Sequence, residues 1–313
     1  MSSESDILAR LRAIATDPAA RGLADDVALL GDFILTHDSI AEGVHFFPDD
    51  PPASVGWKLV AVNLSDLAAK GAEPAGALLS LTLAGEDCWT EGFLDGVAEA
   101  CARYRLPLLG GDTLALPPGA PRVLGMTAIG RANAAGVPAR SGARPGDRLW
   151  LVSTLGDSAA GLELLLADRG ASGALVDKYR RPIPLLAEGQ ALAPFANAMM
   201  DVSDGLLLDL SRLLDASGCG GLVQLDALPL SPAFVAERGD DRAARLFAAT
   251  GGDDYALLGA FPPEIDVTST LCLPSGAKMT EIGTVTAGRG LVLADAQGAV
   301  PLPERLGHEH RTD

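Results

Sequence analysis

Six times along the chain an apolar run stops at aspartates set beside glycine or another small residue. The motifs are Ala24-Asp25-Asp26, Thr36-His37-Asp38, Asn63-Leu64-Ser65-Asp66, Gly110-Gly111-Asp112-Thr113, Asp201-Val202-Ser203-Asp204-Gly205 and Gly251-Gly252-Asp253-Asp254. Open α/β sheets gather ligands where strands end and the backbone turns away, and Asp38, Asp112 and Asp201 are expected at such ends. Any one motif alone is more often a plain turn whose carboxylate bonds its own backbone. Their regularity favours carboxylates that converge on one cleft. Two such charges about 4 Å apart repel by roughly 4 kcal/mol at an effective dielectric near 20. The motifs bring no cation of their own, so the cleft is expected to draw its counter-charge from divalent metal ions.

Between these motifs the periodicity alternates. Phe33–Thr36 reads as a short buried strand, 54–70 as a helix stopped at Gly71, 75–83 as a strand, and 90–104 as a helix capped by Thr90. A strand over 106–109 is expected to end in a Gly110-Gly111 turn, with a further strand over 123–130. The segment 134–147, rich in Gly and Pro, reads as a connection, which divides the chain into domains 1–137 and 138–313. Beyond it come a strand over 148–153, a helix from Gly156-Asp157-Ser158, a strand over 198–202 feeding the 203–205 turn and a helix, and a strand over 221–225. The fold class is α/β, with two domains of similar character.

At 313 residues with 48% hydrophobic content, the chain can build a core in each domain, and a net charge of −17 disfavours nucleic acid and anionic membranes as partners. No apolar stretch reaches membrane-spanning length and 1–12 carries no apolar signal core, so a cytoplasmic location is expected. Cys88, Cys101, Cys219 and Cys272 are scattered, which fits reduced, mostly buried small hydrophobes. Trp57, Trp89 and Trp150 stand in apolar surroundings and read as core.

Hard oxygen ligands without histidine or thiol partners suit magnesium better than zinc. Neither a GxxxxGK[ST] loop nor a GxGxxG turn is present, so phosphates must be held by metals, a few cations and helix-start amides such as those of 156–158. Arg140, in a Gly-rich loop, is the best cation, although a linker arginine is usually just solvated. Asn63 and Asp66 share one face of their helix. His45, in Glu42-Gly43-Val44-His45-Phe46, follows Asp38 closely enough to enter the same cleft, while a packed turn histidine remains the plainer reading.

Taken in order, Asp-Asp, Thr-x-Asp with Glu-Gly-x-His-Phe, Val-Asn-Leu-Ser-Asp-Leu-Ala-Ala-x-Gly-Ala, Gly-Gly-Asp-Thr, Arg-Ser-Gly-Ala-x-Pro-Gly-Asp, Gly-Asp-Ser-Ala-Ala-Gly, Asp-x-Ser-Asp-Gly-Leu and Gly-Gly-x-Asp-Tyr resemble the thiamine-monophosphate kinase family from about Gly22 to Leu258. The resemblance implies a two-domain aminoimidazole-ribotide-synthetase-like fold, with mixed sheets, that pairs into a homodimer through its N-terminal domains. It implies transfer of the ATP γ-phosphate to thiamine phosphate, in line and with several Mg2+ ions; a monovalent cation is a further candidate cofactor. By motif, Asp26, Thr36, Asp38, Asp66, Asp112, Asp201 and Asp204 would be metal ligands. Gly111, Asp112, Arg140 and Ser203 would contact ATP, His45, Asp253 and His308 the thiamine phosphate, and Asp204 with Arg140 would serve catalysis. Four positions depart from the family pattern: Ala24 for glycine, His37 for threonine, Asp253 for glutamate, which moves a contact to water or to Asp254, and His308 for an aromatic ring. Rivals are another ATP-dependent synthetase of the superfamily, whose functional cysteine is missing from 1–21 and 306–313, and a non-catalytic metal- or nucleotide-binding module.

Overall fold

A β-hairpin of β1 (Ala28–Leu30) and β2 (Phe33–Ala41) opens the first sheet, preceded by helix α1 (Glu4–Ile14) and a 3-10 segment over Pro18–Leu23. The computed structural model describes residues 4–85, 87–134, 136–265, 273 and 277–309. After α2 (Pro52–Ala69) come β3 (Glu73–Leu83), α3 (Asp87–Tyr104), β4 (Leu108–Ala115) and β5 (Val123–Arg131). The strand order is β1-β2-β5-β3-β4, with β5 antiparallel to β2 and β3, and β4 parallel to β3 through the α3 crossover.

The second sheet is built from β6 (Arg148–Val152), β7 (Ala198–Val202), β8 (Gly220–Gln224), β9 (Ala256–Phe261), β10 (Met279–Thr286), β11 (Gly290–Asp295) and β12 (Gly298–Val300), ordered β12-β11-β8-β10-β6-β9-β7. Its helices are α4 (Asp157–Ala167), α5 (Ala174–Arg180), α6 (Leu186–Leu192), α7 (Leu206–Ser217), α8 (Pro232–Arg238) and α9 (Arg242–Thr250). Both sheets are mixed, as the family resemblance implies.

Helix α2 decides where the two sheets meet. Val55, Leu59, Val62 and Leu67 join the core of the first sheet, while Ala68 and Ala69 pack with Trp150, Met199 and Leu257 of the second. Fifteen of its eighteen residues are buried, so its polar side chains Lys58, Asn63 and Ser65 must all find protein partners. It ends with Lys70 as C-cap and Gly71 in the left-handed region, where the sequence put its stop.

Several elements differ from expectation. Helix α3 starts at Asp87, ahead of Thr90. Strand β2 runs on to Ala41, so Asp38 lies inside a strand that β5 pairs throughout. Gly110-Gly111 is no turn: β4 runs straight through it. Gly111 has φ +154, and a Cβ there would sit 1.9 Å from the Leu79 carbonyl oxygen, so the position is glycine because two backbones approach closely. Cys88 is exposed and Cys219 buried, while Cys272 lies outside the described residues. The three tryptophans are buried, and among the described residues no helix is long and apolar enough to cross a membrane.

Candidate active site

The carboxylates meet where β2 and α2 face β7 and the loop after it. One oxygen each of Asp26, Asp66 and Asp201 lies within 4.8 Å of the others. The local folding explains the aim of each group. Asn63, fully buried, accepts the Asp38 amide at 3.0 Å and donates to the Leu59 carbonyl, locking β2 to α2. Thr36 donates its hydroxyl to Asp66, and Ser65 donates to Asp201 at 2.6 Å across the two sheets. Burial, with repulsion from Asp38, Asp201 and Asp26, raises Asp66 well above the ordinary carboxylate range. Burial also pushes Asp201 to about 8, helped by Asp26, and raises Asp38, which Asp26 and Asp204 repel. Carboxylate oxygens crowded together form a donor set that a hard divalent cation satisfies, so Asp26, Asp66 and Asp201, with Thr36, Asp38 and Asp204 beside them, fit magnesium.

One expectation fails here: the cluster does have counter-charge of its own. Lys70, with no exposed surface, places Nζ 2.7 Å from Asp25 and 2.5 Å from Asp26 and donates to the Met199 carbonyl at 2.9 Å. Arg140 pairs with Asp26 through Nη2, and its backbone amide donates to Asp25 at 3.1 Å. Burial alone would raise Asp26, but Lys70 and Arg140 outweigh it and hold the group at about 2. The Arg140 Nε is buried without a hydrogen-bond partner. The sequence missed Lys70 because a lysine closing a helix reads as solvated; the signal was its place in a helix apolar nearly all round.

The 203–205 loop is templated by Asp209, another residue missed by sequence reasoning. One carboxylate oxygen of this buried side chain accepts the amides of Ser203, Asp204 and Gly205 at 3.1, 3.0 and 3.1 Å. Arg212 bridges Asp204 at 2.5 Å and Asp209 at 3.0 Å. Burial and the neighbouring Asp204 push Asp209 up to about 7.

From the acidic centre a cleft of ≈ 270 Å³ extends between the domains, and its lining includes Asp38, Ser203 and Asp204 together with His45, Tyr179 and Asp253. His308 also lines it, and its amide donates to the Asp204 carbonyl at 2.8 Å. His45 accepts the Ala41 amide at Nδ1, 3.1 Å away. Asp253 has φ +66, a region aspartate tolerates better than most residues. Its amide donates to the Ser203 carbonyl at 2.7 Å, which ties the two loops together. Asp254 is no substitute contact: it turns away and accepts the Gly156 amide at 2.8 Å. That carboxylate also occupies the start of α4, so the expected use of the 156–158 amides for phosphate does not hold.

Asp112 stands apart, while Gly111 keeps to the Asp38 face two strands beyond β5. Asp38 shares a row with Met126, Leu79 and Gly111, whereas Asp112 shares the next row with Ser80, Gly125 and Ser39. Alternation sends that row to the other face of the sheet. Within one chain Asp112 is therefore not brought to the carboxylate cluster.

Two sheets hinged on a shared helix, with an acidic centre between them, define a class that matches two family models: AIR synthase related protein, N-terminal domain, over residues 24–132, and AIR synthase related protein, C-terminal domain, over 144–296. A thiamine-monophosphate kinase of Caulobacter vibrioides is 39% identical over 98% of this chain and 91% of its own length. The Escherichia coli K12 protein of the same name is 40% identical over 77% of this chain and 76% of its own length. The solved structure of AaThiL complexed with AMPPCP and TMP superposes with a TM-score of 0.84 at 31% identity, covering 98% of this chain and 97% of that one. The chain belongs to the thiamine-monophosphate kinase family.

Proposed function

We propose that the protein transfers the γ-phosphate of ATP to thiamine phosphate, yielding thiamine diphosphate and ADP by direct in-line displacement. The observation that carries this reading is that one cleft is lined both by the acids Asp38 and Asp204 and by His45, Tyr179 and Asp253. It fits a metal-neutralised nucleotide phosphate beside a second, organic substrate, and the related AaThiL structure is complexed with AMPPCP and TMP. A non-catalytic binding module has no use for the second group of residues.

The acceptor is itself a phosphate monoester anion, so it needs no strong base; charge is the obstacle. Bound magnesium ions, held by Asp26, Thr36, Asp38, Asp66, Asp201 and Asp204, would supply shielding between the two phosphates. Arg140, partly exposed and paired with Asp26, is suited to a phosphate oxygen of ATP. Asp209 and Arg212 hold Asp204 and Ser203 in place for the nucleotide. His45 and Asp253 orient thiamine phosphate, with His308 at the rim.

We assign the domain division to 137/138, inside the loop between β5 and β6. A homodimer fits the open face of the first sheet, where Phe33, Leu78, Leu114 and Val123 are exposed although the pairing rows put them on one side, the side of Asp112. A cytoplasmic location accords with a substrate pair of small cytosolic metabolites. The test incubates purified protein with ATP, magnesium and thiamine phosphate. Thiamine diphosphate and ADP in equal amounts are expected; ATP consumption without thiamine diphosphate would overturn the assignment.

A further inference from the structure

Lys58 is a lysine with almost no exposed surface, on a helix whose neighbouring residues Trp57, Leu59 and Val60 are core. Its ammonium lies 2.7 Å from Asp253 Oδ2, 3.0 Å from the His45 carbonyl and 4.0 Å from the centre of the Tyr179 ring. The Tyr179 hydroxyl donates to the same His45 carbonyl at 3.2 Å, and the Tyr255 hydroxyl donates to the other Asp253 oxygen at 2.9 Å. One cation therefore joins the loop after β2, helix α5 and the loop after α9, which come from both domains and flank the cleft.

We propose that Lys58 is the positioning residue of the acceptor subsite: it pins the walls carrying His45 and Asp253 at a fixed separation and holds Asp253 in one orientation. The inference rests on the thiamine phosphate reading of those cleft residues. Its chemistry matches the acceptor. A carboxylate whose two oxygens are each fixed by one donor keeps lone pairs for an amino group, and an anion in that place suits a molecule bearing a cationic ring. Without the ammonium, the partly exposed carboxylate keeps one of those two donors, the Tyr255 hydroxyl, and nothing ties the His45 carbonyl to it. Thiamine phosphate would then meet a wider and less ordered wall. The nucleotide-binding residues, which Asn63, Asp209 and Arg212 position independently, would not change.

The test compares K58M, K58R, D253N and the double variant K58M/D253N with the wild-type protein, by steady-state kinetics in each substrate, calorimetric binding of thiamine phosphate alone, and thermal unfolding. K58M should raise the KM for thiamine phosphate about tenfold or more, the cost of one or two misplaced hydrogen bonds, and leave the KM for ATP within about twofold. K58R should recover part of the loss. The double variant carries no unpaired carboxylate, so it should regain thermal stability, and it reads the result if K58M alone does not fold. It is compared with D253N alone: if Lys58 acts by holding the His45 wall as well as Asp253, K58M/D253N should bind thiamine phosphate more weakly than D253N. Equal affinities of D253N and K58M/D253N would reduce Lys58 to a charge balance for Asp253 and overturn the proposal, as would equal changes in both KM values. A wild-type protein that makes no thiamine diphosphate would instead strike the functional reading. An active wild type with an unmoved KM in K58M strikes only the role of Lys58.

Discussion

Lys70 closes α2 at the point where the two sheets press their carboxylates together, and it meets Asp25 and Asp26 with no solvent contact. Removing one partner of a buried pair leaves an uncompensated charge, which typically costs about 3–5 kcal/mol. Here Arg21 remains 3.1 Å from Asp25 and Arg140 remains on Asp26, so Lys70→Met should fall toward the lower end of that range. The vacated position is lined by carboxylate oxygens, so magnesium should stabilise the variant more than it stabilises the wild type. Urea denaturation in EDTA and in excess magnesium checks both statements. A variant as stable as wild type in EDTA would mean that Lys70 is not the internal counter-charge. The same side chain shows the limit of the sequence. Asp201, Ser203 and Asp204 were legible because turn chemistry marks them locally, whereas Lys58 and Lys70 acquire meaning only from partners far along the chain.

Strand β4 tests a misreading at the scale of an element. Gly110-Gly111 has the composition of a turn, and nothing local distinguishes that from a strand held tightly against its neighbour. The parallel pairing with β3 decides it, since Gly111 faces Leu79 so closely that a methyl group would meet the Leu79 backbone, whereas a Cβ on Gly110 meets only Leu78 Cδ2 at 3.7 Å. Gly111→Ala should therefore destabilise by at least about 1–3 kcal/mol, the usual range for overpacking. Gly110→Ala should stay within about 0.5 kcal/mol. Equal effects of the two substitutions on the denaturation midpoint would argue for a turn after all. Helix α2, expected over 54–70 and found over Pro52–Ala69, was read to within two residues at each end, because apolar spacing and a following glycine act locally. Asp38 was put at a strand end that does not exist, because the polar run His37-Asp38-Ser39 masks the strand that β5 continues to pair.

The whole molecule adds Asp201 of the second domain to Asp26, Asp38 and Asp66 of the first, and this crowding sets how its stability should depend on pH. In the metal-free protein Asp38, Asp66 and Asp254 are raised by burial, Asp209 lies at about 7 and Asp201 at about 8, against an ordinary value of 3.8. A carboxyl group raised in the folded state binds its proton more tightly there than in the unfolded chain. Its contribution is therefore complete below the ordinary value and is lost as pH climbs through the folded value. Asp26 at about 2 and the lowered Asp253 act in the opposite sense, but their window closes below the ordinary carboxylate value and does not reach neutral pH. The metal-free protein should thus lose stability steadily between about pH 5 and pH 8, where most proteins are near their maximum. Magnesium, which binds the ionised carboxylates, should remove most of that slope, and more of it at the higher pH, because less proton must be displaced there. Denaturation midpoints measured in EDTA across this interval, then repeated with magnesium, give the answer. A midpoint that rises with pH in EDTA would mean that Asp66 and Asp201 are not held together by the meeting of the two sheets, and the acidic centre drawn between them would fall with it.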